Sequence, residues 1–583
     1  MKMLMSSGRT IEQGKALYHK EAECYSRSTS VCYLHPMDMM DLDIENGETV
    51  LVSSPVSSVV FTAIQSPETP RGIIYMPLGP YCNALLTGNT HSTGAPDFKG
   101  ITVDVSSTTD TSVSAADLMT ELGGVPFDLP TADKVPGCPD GEVVVQHAVC
   151  PMCGCVCDDL EIHFSNGKVT EVVNGCTLSA EKFKAAGRLL SPAVREGDTW
   201  RYTDYDEAIT KTALCLARAK RPLLYGWSST SAEAMQVGIE LAEEVGGVID
   251  NCSSECHGPT VLAIQEVGHP GCTLGQVKNR ADVVVYWACN PQVAHPRHMS
   301  RYTTYTTGYF RKEGREDRTI IVVDIRESET AKLADVFLKI KPGSDFAIFN
   351  ALRAIVSGKG DILPDEIGGV EKGQLLRLGD ILLSAQFGIF FTGVGLTHSR
   401  GKYKNVRAGI ELIDELSRHT KYALSPLKGH WNVDGTCHIF SLTTGYPFAI
   451  DYSRGIAYYN PGETSGIDLL ERNEVDCCLV VSTDIGAHFP RTSIERLGKI
   501  HTIVLDPYVS LTTPFAKIQL PGSVIGVDAE GTAYRMDGIP IHVRKILDSS
   551  VPSDKEILER ILSEVRRIKK EQTENDLNSG ELM

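Results

Sequence analysis

The sequence predicts a multi-domain α/β protein in which doubly wound lobes follow a small cysteine-rich module and an all-β N-terminal domain. Three observations predict it. Beyond residue 200, apolar β-rich runs alternate with helical stretches, the pattern of parallel strands buried on both faces. Ahead of them, Cys150, Cys153, Cys157 and Cys176 crowd one short segment. Residues 1–118 read as short alternating strands punctuated by turn residues. At 583 residues the chain far exceeds one hydrophobic core, so about three or four domains or lobes are expected.

In chain order, "LHPMDMMDLDIENGETVLVSSPVSSVVFTAI" places strands around an Asn46-Gly47 turn, and "IIYMPLGPYCNALLT" adds a strand ending in Gly and Pro. This domain is assigned to 1–130, and a Pro/Gly/Asp-rich stretch without periodicity makes 131–142 a linker. The cysteine module occupies 143–200 and the two lobes 201–550. Within the lobes, "RPLLYGWSSTS", "ADVVVYWACNP", "TIIVVDIRES", "FGIFFTGVGLTHS", "VDCCLVVST" and "IHTIVLDP" are strands, while "AEAMQVGIELAEEV" and "NVRAGIELIDELSRHT" are helices. Residues 551–583 form an amphipathic helix ending in a charged, fraying tail.

Composition narrows the function. A net charge of −18 argues against a nucleic-acid or anionic-membrane surface. The first residues lack the apolar run of a signal peptide, and no stretch of about eighteen apolar residues suggests a membrane span, so a cytoplasmic protein is expected. Seventeen cysteines then point to metal binding rather than disulfides. Some, such as Cys215, Cys477 and Cys478 in apolar runs, read as buried small hydrophobes.

The module "HAVCPMCGCVCDDLEIHFSNGKVTEVVNGCTLSAEKF" offers a C-x-x-C-x-x-x-C loop and a distant fourth thiol. Soft thiolates select an iron–sulfur cluster or zinc. Three ligands on one loop favour a [4Fe–4S] cubane, whereas tetrahedral zinc usually takes two separated pairs. Cys155 reads as a non-ligand that alternation turns away from its neighbours. The second motif is "NCSSECHGPTVLA", with Cys256 beside His257 on a Gly258-Pro259 turn. A hydrophobic core would want neither that polarity nor that turn. Cys252 reads as packing.

This order of motifs resembles molybdopterin oxidoreductases of the formate dehydrogenase type, with "ECHGPTV" similar to their metal-ligand loop and "VVDIRESETAKLADVFLKIKPGSD" to their dinucleotide-binding segment. Nearer still, the C-P-x-C-G-x-x-C-D-D opening, "GYPFAIDYSRGIAYYNPGE" and "AEGTAYRMDG" resemble the catalytic B subunit of the formylmethanofuran dehydrogenase family. "MPLGPYCNA" and "STGAPDFKG" resemble the family's small D subunit, here fused in front. The resemblance implies a formate dehydrogenase-like α/β fold with a small Fe–S domain and a double-psi-like β-barrel. It also implies a Mo or W bis-(molybdopterin guanine dinucleotide) cofactor and one [4Fe–4S] cluster on Cys150, Cys153, Cys157 and Cys176. Cys256 would ligate Mo or W, His257 would relay the proton, and Lys428 in "SPLKGHWNVDG" would hold the carboxylate where relatives carry Arg. Arg454 is an alternative for that task, and His430 a neighbour able to line the pocket. Candidate cofactor contacts are Gly79, Asn83 and Thr93 in the first domain, and Lys182 after the cluster. In the lobes they are Gly226, Ser228, Asn290, Asp324, Arg326, Thr330, Asp345, Gly393 and Gly395, mostly at strand ends where backbone amides approach phosphates.

The implied activity is reversible reduction of CO2 to formate with low-potential electrons, for condensation with methanofuran on a partner subunit. Implied partners are a zinc amidohydrolase-like A subunit, a C subunit, polyferredoxin-type subunits and heterodisulfide reductase. The alternatives are a stand-alone formate dehydrogenase and a pterin-free electron-relay subunit.

Overall fold

The computed structural model describes residues 1–579. The tail expected at the end of the chain lies, in residues 580–583, outside the described residues.

The N-terminal domain closes into a six-stranded barrel in the order Lys2–Gly8, Ile73–Pro77, Val31–Leu34, Ser58–Gln65, Thr49–Ser53 and Thr102–Thr108. Lys2–Gly8 pairs in parallel with Ile73–Pro77, and Val31–Leu34 in parallel with Ser58–Gln65. Such pairings need crossovers, and these are helical. The domain is therefore not all-β as the sequence suggests: Ile11–Lys15, Glu23–Thr29, Pro36–Asp41, Pro80–Asn83 and Ala115–Glu121 are helices. They are short, and their apolar residues are absorbed into the barrel core around Tyr25, Met39 and Tyr81, so no long helical period betrays them.

Residues 123–142 carry no helix or strand beyond an isolated bridge from Thr131 to Leu189. A three-stranded antiparallel sheet follows, of Val143–Ala148, Leu160–Ser165 and Lys168–Val173. The cysteine loop links its first two strands.

The first lobe is a nine-stranded sheet whose centre is the parallel set Ile518–Leu520, His501–Leu505, Cys477–Val481, Pro222–Gly226 and Val248–Asn251. The second lobe is a five-stranded parallel sheet in the order Val336–Lys339, Thr319–Asp324, Val283–Trp287, Gly388–Thr392 and Tyr422–Pro426. It is inserted into the first between Asn251 and Ile450. Pro222–Gly226, Val283–Trp287, Gly388–Thr392, Tyr422–Pro426 and Cys477–Val481 are buried along their length, which is why each reads as an apolar run. The C-terminal helix Asp554–Ser579 returns to the first lobe, burying Ile557, Leu558, Ile561 and Val565 in its core. Among the described residues no helix is long and apolar enough to cross a membrane.

Candidate active site

Both parallel sheets point their carboxyl ends at one cavity of about 710 Å³. In open α/β sheets ligands bind at those ends. Here the turns after eight strands meet: Ser229, Glu255 and Cys256, Cys289 and Asn290, Arg326, Gly393 and Gly395, His430, Asp484, and Asp506 all face it. The turns are tight. Trp227, Ala288 and Ser482, each just past a strand, hold positive φ of 71°, 52° and 48°, backbone conformations that cost energy and concentrate at functional sites. A Cβ on Gly393 would lie 2.4 Å from the Ala288 carbonyl oxygen, and one on Gly395 2.6 Å from Ala288 Cβ. Only glycine lets these two turns approach.

The barrel completes the wall. Arg9, Lys20 and Lys99 reach the cavity from it, joining Lys182, Arg326 and Arg400. Burial raises the facing acids, Asp506 to about 7 and Asp345 to about 6, so they are less charged than exposed carboxylates. The cavity is accordingly cationic inside a chain of net charge −18, as a phosphate-rich ligand requires. Arg326 stacks over the barrel's Tyr75 at 4.2 Å, and Lys20 pairs with Asp484 at 2.6 Å, fastening barrel to lobes.

Cys256 ends the short helix Ser253–Cys256 and is half-buried. Burial pushes its thiol up to about 12, reinforced by Glu255 and opposed by Arg9 and Lys99. His257 is buried behind it. Its Nδ1 lies 3.5 Å from Thr260 Oγ1, and its buried Nε2 has no hydrogen-bond partner. Burial and then Lys428 hold its pKa down at about 3. Lys99, pushed down to about 8 by burial, donates to the Ser7 carbonyl oxygen close to Cys256.

At the far end the cavity reaches Met152 and Cys153 of the cysteine loop. Cys150, Cys153, Cys155, Cys157 and Cys176 ring a small buried pocket. Cys176 caps the helix Thr177–Lys184, its Sγ accepting from Ser179 N at 3.4 Å; burial pushes its thiol up, and the amides of the helix start only partly oppose that. Arg297 grips Asp159 at 2.6 and 2.7 Å beside Cys157. Lys182 lies over the ring of Tyr18 at 4.5 Å and 5.9 Å from that of Tyr508, the two rings packed together at 5.5 Å, joining loop and cavity.

Residues 3–102 match the molydopterin dinucleotide binding domain model and residues 188–420 the molybdopterin oxidoreductase model. The chain is 45% identical over 432 residues to the B subunit of tungsten-containing formylmethanofuran dehydrogenase 2 of Methanocaldococcus jannaschii, covering 73% of this chain and 99% of that one. It belongs to the B-subunit family of formylmethanofuran dehydrogenases. Its N-terminal part is 39% identical over 102 residues to protein FwdD of the same organism, 17% of this chain and 77% of that one. In fold, it resembles a chain of the formyltransferase/hydrolase complex FhcABCD of Methylorubrum extorquens, with TM-score 0.53 and 18% identity over 65% of this chain and 99% of that one.

This formylmethanofuran dehydrogenase chain is an oxidoreductase with a molybdenum or tungsten pterin cofactor, and its relatives are subunits of a multi-subunit complex. Of the residues expected at the cofactor, Lys182, Asn290, Asp324, Arg326, Asp345, Gly393 and Gly395 line the cavity. Thr330 lies behind, its hydroxyl donating to Asn290 Oδ1 at 2.7 Å. Gly79, Asn83, Thr93, Gly226 and Ser228 are not on the wall. Gly79 packs against Thr29 and Tyr25. Asn83 Nδ2 donates to the Ala487 carbonyl at 2.9 Å, docking the barrel, and Thr93 Oγ1 donates to the Thr90 carbonyl at 2.7 Å. Gly226 is needed because a Cβ would meet the Val481 oxygen at 2.1 Å. The left-handed Trp227 then turns Ser229, one residue beyond Ser228, to the cavity.

Lys428 is also off the wall. Its ammonium is ion-paired with buried Asp434, its side chain 14% exposed, and its field reaches His257. Cys155 does not turn away from its neighbours: it hydrogen-bonds with Cys153 and faces the common pocket, because the left-handed Val156 at φ 39° breaks the alternation. Sequence reasoning missed Arg9, Lys20 and Lys99. Lys99 stands in the "STGAPDFKG" text, but Arg9 and Lys20 carry no local signal.

Proposed function

We propose that this chain is the catalytic subunit that takes CO2, two electrons and a proton to formate, reversibly, with the formate then condensed with methanofuran on a zinc amidohydrolase-like partner. The observation that carries the reading is the cavity itself: both sheets end at it, Cys256 stands on its wall, and the cysteine loop opens at its far end. A bis-(molybdopterin guanine dinucleotide) holding tungsten or molybdenum fits its residues. The cations attract pyrophosphates, Gly393 and Gly395 admit close backbone approach, and Asp324, its Oδ1 already accepting from Ile325 N at 2.7 Å, presents a carboxylate to a guanine edge. When bound, that group supplies the two-electron redox chemistry.

The chain's own residues do the rest. Cys256 offers the soft thiolate ligand. Lys99 and Arg9, the cations near it, hold the carboxylate of formate or the charge developing on CO2. His257, adjacent to Cys256, is the group proposed to carry the proton, although its buried ring lies behind the cavity wall and its low pKa makes it a weak base. Lys428 and Asp434 act through His257 as positioning residues.

A [4Fe–4S] cluster on Cys150, Cys153, Cys157 and Cys176 passes the electrons. The donor set favours it over zinc: only Cys252, Glu255 and His430, among the described residues, bring three such donor atoms within 4.8 Å of one another. The four thiols are thus spread more widely than sulfurs bound about 2.3 Å from a tetrahedral zinc. Polyferredoxin-type subunits would deliver the electrons. All seventeen cysteines are free, which suits a reducing cytoplasm.

The test is Mo, W, Fe and Zn content of the anaerobically purified protein. About one Mo or W and about four Fe per chain are expected. Iron without Mo or W would make the chain an electron relay, and zinc alone would refute the reading.

A further inference from the structure

At the cavity wall next to Cys256, three donors converge. Cys252 Sγ, a Glu255 carboxylate oxygen and a His430 ring nitrogen lie within 4.8 Å of one another. The groups come from different parts of the fold. Cys252 and Glu255 follow strand Val248–Asn251 of the first lobe, and His430 follows Tyr422–Pro426 of the second. His488, at the end of helix Ile485–His488, brings Nδ1 to 3.4 Å from Glu255 Oε1.

The donors are short of protein partners, but burial raises Cys252 to about 12 and Glu255 to about 8, so an ion binds there by displacing their protons. Glu255 is 6% exposed, and its Oε2 has no hydrogen-bond partner, an expensive arrangement for a carboxylate left alone. Ser229 Oγ holds His430 Nδ1 at 3.2 Å, which leaves Nε2 for a ligand, as metal-bound histidines are usually held. Thr483 Oγ1 lies 3.4 Å from Cys252 Sγ. One thiolate, one carboxylate and two imidazoles make a four-coordinate set suited to zinc, at about 2.3 Å from sulfur and about 2.0–2.2 Å from nitrogen and oxygen.

We infer that Cys252, Glu255 and His430, with His488 as fourth donor, form a binding site for a zinc-class divalent cation. The ion clasps the Cys256-bearing turn to the other lobe and to helix Ile485–His488. The site requires neither the pterin nor the cysteine-loop cluster, so it stands or falls apart from the proposed activity.

The test uses crystals of the full chain equilibrated with ZnCl2, with diffraction collected on both sides of the zinc absorption edge, alongside zinc titrations in solution. An anomalous peak among these donors is expected. Solution affinity should fall roughly ten- to hundredfold in S229A, which removes only the group orienting His430, and the site should be lost in C252S. The peak position separates this ion from any zinc held by the cysteine loop. No peak there, or a zinc affinity unchanged in both variants, overturns the inference. Should C252S fail to fold, S229A and the map still decide.

Discussion

Replacing Lys428 with Met strands the Asp434 carboxylate, which is 6% exposed at its side chain and has only His438 Nε2, at 3.4 Å, as a second partner. Burial alone would raise Asp434, yet Lys428, aided by His438, more than offsets it and holds the carboxyl at about 2. Against an ordinary value near 3.9, that is worth about 2.6 kcal/mol at neutral pH. Breaking a buried pair from one side costs about 3–5 kcal/mol by independent reasoning, the same order. The contribution is complete above the unfolded value near 4 and disappears as pH falls through about 2, because the folded pKa is the lower one. At roughly 2–4 °C per kcal/mol for an unfolding unit of 150–250 residues, K428M should unfold about 6 °C or more below wild type. The double variant K428M/D434N, which removes both charges, should regain most of that loss. The assay is anaerobic thermal unfolding followed by circular dichroism, with formate oxidation by a viologen dye measured on the same samples. A K428M midpoint equal to wild type would refute the pairing. Restored stability with activity still absent would support the action of Lys428 through His257; restored activity would show that neither charge matters to the chemistry.

Other substitutions test the remaining assignments. C256A should retain its iron, with stability changed by less than about 1 kcal/mol, while formate oxidation disappears; retained activity would remove Cys256 from the metal. C157A should lose iron, whereas C155A should keep it and shift only the electron paramagnetic resonance spectrum of the reduced protein, so equal iron loss in both would make Cys155 a ligand. K20M breaks the Lys20–Asp484 pair, whose side chains are only 12% and 5% exposed. It should loosen the barrel by about 3–5 kcal/mol and speed proteolytic cleavage within 123–142; an unchanged cleavage rate would mean that other contacts hold the barrel.

The cysteine spacing, the Cys256-His257 turn and the buried strands were legible because each is local. A C-x-x-C-x-x-x-C loop and an unbroken apolar run need no distant partner to be recognised. The rule that ligands sit at strand ends likewise located Asn290, Asp324, Arg326, Gly393 and Gly395. It failed by one residue at Ser228, because a left-handed Trp227 reverses which side chain faces inward, and such a conformation has no signature in a tryptophan.

What the sequence determined by itself is therefore the inventory: a cysteine-rich loop, the Cys256-His257 turn, two sets of buried parallel strands and the strands of an N-terminal domain. The tertiary structure alone decided what meets what. Arg9, Lys20 and Lys99 reach the cavity only because the closed barrel lies against both lobes. Lys428 is turned from the cavity to Asp434, and Cys252, Glu255 and His430 converge across the insertion of one lobe into the other. Charge pairing and donor convergence depend on distances between residues far apart in the chain. Those distances are set by how sheets and barrel pack, which local periodicity does not encode.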